Sequence, residues 1–531
     1  MSVAVKAAQN LGFLEFLAGN LPLALQLLDE AMRSCRQQIP DYLPVITLDK
    51  CRVLLAAGLA EDSDRHLAQA IHDLQRQRLT EDLAEAELTR ASAALLAERP
   101  EIAARWAISA RRRFLRRGNQ PWALLAALVH VRCRFAMAAA PLPLSRQAAE
   151  IADALDGCGL ADDARMARLL AIRALLRAGQ IIHAGQEAAK LGRLRTGDPL
   201  ELQVLWHLTH AELAVATGRR AAQHRHVRTG LARLHLHRSQ LGSLDLQTGA
   251  ATHGRELATA ALHSALAEGR PATVHAWAEL VRAQAFRLTP VLPPDDPEAA
   301  LALRELRHLR HALRTAELCR QPTAQLRTRR AELEQTVREH AWFLTGPGAS
   351  TPPASMHGVA DRLGRRVMVQ YLQDSGRLAA LVIASGSASL LDMGSFAVAV
   401  QLLHRLRADI EVLARHAMTP RMAAVVQGSA EWTCAKLAEI LVNPLLPSAG
   451  DHDLVMVPTG HLYTAPWAQL PGCRGRAITV APSATAWLKA DQRLAEPDSL
   501  NGRPVLVAGP GIEHGEREVS AISAICPERV C

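Results

Sequence analysis

Aromatic side chains are scarce: Phe, Tyr and Trp together make up 3 % of the 531 residues. A core without rings must be filled by Leu, Ala and Val, and close packing of small side chains suits helix against helix. Lysine is rarer still. Lys6, Lys50, Lys190, Lys436 and Lys489 stand against 56 arginines, so the formal charge of +9 is almost wholly guanidinium. Arginine grips phosphate and carboxylate in a rigid fork, which raises nucleic acid as a partner. Codon usage in a GC-rich bacterial genome accounts for the same excess, and net charge alone speaks to solubility and non-specific association. Nucleic acid is therefore not expected as a partner.

Nine cysteines are scattered at 35, 51, 133, 158, 319, 434, 473, 526 and 531, with no C-x-x-C among them. That spacing excludes a zinc or disulfide framework and suits a reducing cytoplasm. Long apolar runs are missing too. The longest, Trp122 to Val131, covers ten residues, against the roughly 18 needed to span a bilayer. The opening Met1-Ser2-Val3-Ala4-Val5-Lys6 has no basic stretch followed by an apolar core, so no signal peptide is read there. The expectation is a soluble, cytoplasmic protein with no membrane partner. G-x-S-x-G, H-E-x-x-H and G-x-x-x-x-G-K-[ST] are all missing, and no cofactor or metal is expected.

What the chain has in quantity is apolar residues, 49 % of the total, and a length that implies more than one domain. Through the first 290 residues, breakers recur about every 40: Ala18-Gly19-Asn20, Ala57-Gly58, Glu98-Arg99-Pro100, Ala140-Pro141, Ala178-Gly179, Thr217-Gly218 and Glu268-Gly269. Between them apolar residues fall at helical spacing, as in Leu11, Leu14 and Leu17 before Gly19 and Ala24, Leu27, Leu28 and Ala31 after it. Each breaker reads as the turn of a helical hairpin whose apolar face only a neighbouring hairpin can bury. The order Leu11-Gly12, Ala18-Gly19-Asn20, Ala24, Ala31 resembles tetratricopeptide repeats; Ala174 with Ala178-Gly179, and Ala211 with Ala216 and Gly218, keep the small-residue skeleton. The period exceeds that family's, so the copies look degenerate. The resemblance implies that one or more protein partners bind the helical-repeat surface.

Four prolines in Thr289-Pro290-Val291-Leu292-Pro293-Pro294-Asp295-Asp296-Pro297 mark a linker. Two long helices follow over 298–344, broken at Gln321-Pro322. Arg304, Arg307, Arg310 and Arg314 lie at helical spacing on the first, as a solvated face. After a Gly/Ser/Pro loop at 346–353 the pattern changes. Arg366–Leu372 and Leu378–Ile383 read as strands joined by a hairpin turn at Asp374-Ser375-Gly376. Helices are expected at about 395–416 and 421–442, then short buried strands at 454–457, 477–480 and 505–508. Strands alternating with helices predict a largely parallel sheet with helices on its faces.

The segment from Asp453 to Pro510 is the most specific. A strand runs into Pro458-Thr459-Gly460-His461-Leu462, then Pro466-Trp467 and Leu470-Pro471; a second strand ends in Ala481-Pro482-Ser483-Ala484-Thr485. Pro458 ends a strand without needing a donor, Gly460 permits the turn, Trp467 is a wedge under the sheet, and Ser483 is placed to cap the helix carrying Trp487. This combination resembles the CHAT family, caspase-like domains that stand behind tetratricopeptide arrays, and the resemblance covers residues 366–531. It implies a cysteine endopeptidase fold, with a peptide substrate for the complete protein. The family's chemistry is a His–Cys dyad: a His-Gly turn after a later strand and an Ala-Cys-x-x-Gly turn after the next. No Ala-Cys-x-x-Gly turn occurs here, and no His-Gly pair stands ahead of one, so the expectation is a chain cut ahead of its active site. The fold class expected is a multidomain chain, an all-α helical-repeat solenoid followed by an incomplete α/β caspase-like domain. Its parts are tetratricopeptide-like repeats over 1–288, a proline linker and helical pair over 289–345, and the leading part of a CHAT domain over 346–531. The functional expectation is the N-terminal part of a bacterial CHAT-type cysteine protease whose array regulates the protease. The alternative is a non-enzymatic binding scaffold or pseudo-protease.

No residue is assigned a catalytic, cofactor-binding or metal role. His461 lies where the family places no catalytic group. Cys473 lies beside Arg474 and Arg476, which could lower its pKa, with no His near it in sequence. Cys434 falls mid-helix, and Cys526 and Cys531 in the tail. Gly509-Pro510-Gly511 after a strand resembles a phosphate loop, but Pro510 lacks an N–H and Glu513, Glu516 and Glu518 would repel the anion. His224, His226, His235 and His237 form two H-x-H pairs whose members face apart on a helix. Arg111-Arg112-Arg113 and Arg116-Arg117 read as a solvated basic face.

Overall fold

Left-handed residues punctuate the early chain every 20 or 21 positions: Gly58, Arg78, Glu98, Gly118, Ala138, Gly159 and Gly179. The computed structural model describes residues 2–195, 197–286, 297–319, 321–346, 352–384, 386–414, 418–494, 506, 508 and 514–525. Each left-handed residue closes a helix by the 6→1 bond of a Schellman motif, as in Leu59 N to Leu54 O (2.8 Å), Arg99 N to Ala94 O (2.9 Å) and Gln180 N to Leu175 O (2.9 Å). The next helix starts at once, often with proline in its first turn, where no donor is lost.

The helices so cut are α1 (Ser2–Leu17), α2 (Leu21–Gln38), α3 (Leu43–Ala56), α4 (Ala60–Gln77), α5 (Thr80–Leu96), α6 (Pro100–Arg116), α7 (Gln120–Ala136), α8 (Pro141–Gly157), α9 (Ala161–Arg177), α10 (Ile181–Lys190), α11 (Leu200–Ala216), α12 (Arg220–Ser239), α13 (Leu244–Ala251), α14 (Arg255–Glu268) and α15 (Pro271–Phe286). The 40-residue period follows from helices α5 to α9, each 17 residues long. The sequence pattern located every second turn; the turns at Arg78, Gly118 and Gly159 complete it. Helices α5 and α6 meet over Ala84, Ala91, Ala94, Ala103 and Ala107, all buried, the close approach that small side chains allow.

Two compact units emerge, and they interleave along the chain: 1–257 with 288–350 and 500–531, and 258–287 with 351–499. In the first unit the array returns to its start. A Cβ on Gly58 would stand 1.9 Å from the carbonyl oxygen of Gly249 in α13, His253 bonds the Ala56 carbonyl at 3.0 Å, and Leu246 and Ala250 share a core with Val53 and Leu54. Helices α16 (Pro297–Leu318) and α17 (Ala324–Ala341) belong to this unit. Helix α17 places Arg338 on Asp62 at 2.9 Å and on Asp245. Its Glu339 receives the buried ammonium of Lys50 at 3.2 Å, and the fully buried Trp342 follows just after it.

The second unit carries α18 (Met356–Leu363), β1 (Val367–Asp374), β2 (Arg377–Ala384), β3 (Ser387–Ser395), α19 (Phe396–Leu413), α20 (Pro420–Leu441), α21 (Leu446–Ala449), β4 (Leu454–Val457), β5 (Ile478–Val480) and α22 (Ala484–Leu494); α23 (Gly515–Ile525) falls in the first. The sheet order is β3-β2-β1-β4-β5. The β1–β2 and β2–β3 pairs are antiparallel, and β1–β4 and β4–β5 parallel. The expectation of a largely parallel sheet is corrected to a mixed one. Strand β3, Ser387-Ala-Ser-Leu-Leu-Asp-Met-Gly-Ser395, is half exposed and rich in serine, so it has neither the apolar run nor the clean alternation that marks a strand in sequence. Residues 289–296 of the proline linker, and residues 505 and 507 of the strand expected at 505–508, lie outside the described residues. No described helix is long and apolar enough to cross a membrane.

Two predictions follow from the turns. Ala138 sits at φ 54°, a conformation that costs a non-glycine residue roughly 1–2 kcal/mol. Ala138→Gly should therefore stabilise the first unit by up to about 1 kcal/mol in urea unfolding, and a loss of stability would contradict the strain. Gly58→Ala combines the same backbone strain with a clash on Gly249 and should destabilise by roughly 2–4 kcal/mol; a neutral result would refute the backbone closure.

Candidate functional site

In an α/β sheet the crevice beyond the carboxyl ends of parallel strands is where ligands bind. Here that end belongs to β1 and β4. Beyond β4, the buried Pro458 ends the strand and Gly460 turns the chain at φ 50°. Trp467 then stacks on Tyr371 of β1, ring centroids 5.3 Å apart. The Tyr371 hydroxyl donates to Leu441 O at 2.6 Å, and burial holds its pKa well above the usual phenol value. After β5, Ser483 accepts from Ala486 N at 3.0 Å and caps α22. The turn, wedge and cap read from the sequence are all in place.

What the sequence did not reveal is the group that meets this crevice. Helix α15 reads as the last helix of the repeats, yet it belongs to the second unit. Three of its side chains, His275, Glu279 and Arg282, recur at i, i+4 and i+7 and so share one face; they are 1 %, 1 % and 8 % exposed. Glu279 accepts from Ala484 N (3.0 Å), Thr485 N (2.8 Å) and the Thr485 hydroxyl (2.7 Å). Arg282 donates to Tyr371 O and, at 3.3 Å, to Val457 O. His275 bonds the Ala354 carbonyl at 3.0 Å and the Gln370 amide at 3.2 Å. Burial lowers the pKa of both His275 and Arg282. Arg282 Nη1 and Gln370 Oε1 are buried without a partner. The signal was in the sequence: charged residues on the face that also carries Val274 and Ala278.

The residues weighed in sequence are not brought together. His461 is exposed and stacks edge-on against His404 of α19, centroids 5.4 Å apart. Cys473 is 1 % exposed, and burial raises its thiol pKa against the opposing pull of Arg476. The lowering that neighbouring arginines could have produced is outweighed. Cys434 is half-buried with its pKa raised by burial. Cys526, Cys531 and the Gly509–Gly511 turn lie outside the described residues. Of the arginines in and just after α6, Arg113 pairs with Glu87 at 3.0 Å and Arg117 with Glu81 at 3.2 Å. Among the described residues, no group of three or more His, Cys, Asp or Glu could hold a metal ion. A cleft of about 280 Å³ opens between α19 and the turn after β4, lined by Leu403, Leu406, Ile410 and Pro466 among others, with Arg407 and Glu411. Those two pair with each other at 2.9 Å.

No protein-family model matches the chain, and no curated protein matches it.

One titratable cluster lies in the first unit. His207 and His210 of α11 and His226 of α12 gather around Trp206, with the Nδ1 atoms of His207 and His226 3.4 Å apart. Burial first, then neighbouring histidines and arginines (Arg233 for His207, Arg225 and Arg219 for His226), lowers both to about 4. Histidine in an unfolded chain titrates near 6.5. Between those values the unfolded chain binds protons that the folded one refuses, so stability falls as pH drops from about 6.5 towards 4. The melting temperature should be lower at pH 5 than at pH 7, and His207→Gln with His226→Gln should flatten that difference. An unchanged difference in the double variant would contradict the assignment.

Proposed function

We propose that this chain is the helical array and leading α/β portion of a CHAT-type cysteine peptidase, and that the array binds a protein partner and regulates the peptidase domain. The observation that carries the reading is the run from β4 to α22: strand, Pro-x-Gly-x-Leu turn, Trp467 wedged on Tyr371, second strand, Ser483 cap. The order of parts upstream, a repeat array, a helical pair, then the sheet, agrees with it. In this reading the fold of the second unit is caspase-like, the repeats are tetratricopeptide-like, and the protein works in a reducing cytoplasm on peptide bonds. The chain holds no Ala-Cys-x-x-Gly turn, and none of its His-Gly pairs, at 253–254, 357–358 and 514–515, is followed by one. The cysteines in the α/β unit, Cys434 and Cys473, are pushed towards the inert thiol by burial. That favours a second reading, a scaffold that binds proteins and cleaves nothing.

The reading frame beyond codon 531 separates the two. The peptidase reading expects a His-Gly turn after an apolar strand and an Ala-Cys-x-x-Gly turn after the next, with peptide cleavage lost on substituting that cysteine. A frame closing directly after Cys531, with no cleavage by the native protein, overturns it and leaves the scaffold.

A further inference from the structure

Helix α20 is anchored by its second half. Its buried residues, Thr433, Leu437, Ala438 and Leu441, all come after Trp432. Over Pro420–Trp432 helix α19 flanks it: the Ser429 hydroxyl donates to Asp409 at 2.8 Å and accepts from Arg405 at 3.2 Å. The other side of this half is open and apolar. Met422, Val425 and Trp432 are 59 %, 69 % and 49 % exposed. Their spacing puts them on one helix face. A single exposed apolar side chain is ordinary, but a contiguous apolar patch marks an interaction surface. Gly428 lies in the middle of that face. A Cβ there would meet nothing within 4 Å, so no neighbour among the described residues needs the space. Glycine weakens an exposed helix interior, and a second backbone packed close at this point accounts for it.

The face also specifies what covers it. Arg421, Val425, Gly428 and Trp432 are all exposed and follow at steps of four, three and four, the spacing of a two-helix seam. A second α20 laid antiparallel, with the two-fold axis between Val426 and Gln427, sets Val425 against Gly428 and Arg421 against Trp432, each match occurring twice. The first puts a branched side chain into the space that glycine leaves. The second brings a guanidinium to an indole that Arg405 already approaches at 5.0 Å to the ring centroid. The helix supplies its own complement in shape and in charge, as an isologous contact requires.

We infer that α20 is a self-association surface, through which two copies of the chain pair antiparallel by Arg421, Val425, Gly428 and Trp432. The seam stops short of Lys436 and Glu439, which pair with each other at 2.8 Å. It is about three turns, or roughly 16 Å, long. That is small beside a standard interface, so the dimer is weak, with a Kd on the order of 10 µM. The inference rests on this face of α20 and is independent of the peptidase reading.

Sedimentation equilibrium of the full chain from about 1 to 100 µM tests it. The mass should climb with concentration from the 57.5 kDa of one chain towards twice that value. Val425→Glu sets a carboxylate into the seam at a position already open to water in the single chain. It should raise the Kd by about ten-fold or more and leave the urea midpoint of the monomer unchanged. Val425→Gly and Gly428→Val should each weaken the dimer as well. Combined, they exchange knob and hole and should restore the Kd to within about three-fold of the wild-type value. A chain that keeps one mass up to about 100 µM overturns the inference and leaves this face to a different protein or to another segment of the chain. A dimer indifferent to Val425→Glu overturns it too, as does a combined variant that binds no tighter than either single one. The wild-type concentration series needs no variant, so a misfolded substitution leaves the test intact.

Discussion

Three donors converge on one carboxylate that has almost no water around it. Glu279 takes the Thr485 hydroxyl and the Ala484 and Thr485 amides, orphan N–H groups of the first turn of α22, while the Ser483 cap takes the Ala486 amide. A negative charge there also lies at the positive end of the helix dipole. Much of the second unit hangs on this cap. Helix α22 carries Asp491, which holds Arg362 of α18 at 2.6 Å and Arg366, just before β1, at 2.8 Å. It also carries Trp487, over whose ring Arg366 lies at 4.9 Å. The start of β1, the end of α18 and the later turns of α22 are thus one polar assembly. The cap on its first turn comes from about 200 residues earlier in the chain, and Arg282, one turn further along the same helix, bonds the middle of β1 and the end of β4.

The first unit solves a related problem by different means. Helices α3 and α9 bury charged side chains, which need partners. Lys50 of α3, 2 % exposed, finds them in Asp29 and in Glu339 of α17. Burial alone would raise the Glu339 carboxyl; Lys50, the Gln335 amide and His66 together outweigh it and hold it below the usual range. Arg173, equally buried, takes Glu212 at 2.8 Å and Glu256 at 2.6 Å. At the second site the planar guanidinium fork holds two carboxylates at once, so the arginine excess is here partly structural.

The period of the array, its helix ends and the turn chemistry around Gly460 were legible in the sequence, because each depends on local rules: left-handed residues end helices, and glycine or proline sits where the backbone demands it. Strand β3 was not legible, since its pairing with β2 is decided by the hairpin and not by its own serine-rich composition. Helix α15 was misleading for a deeper reason. Its hairpin breaker at Gly269 and its apolar spacing match the repeats before it, and only the tertiary fold assigns its charged face to the sheet. Cys473 shows the same limit. Two neighbouring arginines suggest an activated thiol, but burial is not visible in a tetrapeptide, and burial wins.

Functionally, the arrangement puts a helix drawn from the repeat region against the strand ends of the α/β unit, so the integrity of that unit depends on where α15 sits. The most direct test of this dependence is a double-mutant cycle in the full chain between Glu279→Gln and Thr485→Val, read from the exchange protection of the β4 amides. The account predicts a coupling of about 1 kcal/mol or more, as for partners sharing one buried network. Effects that add to within about 0.3–0.5 kcal/mol, as for independent sites, would contradict it.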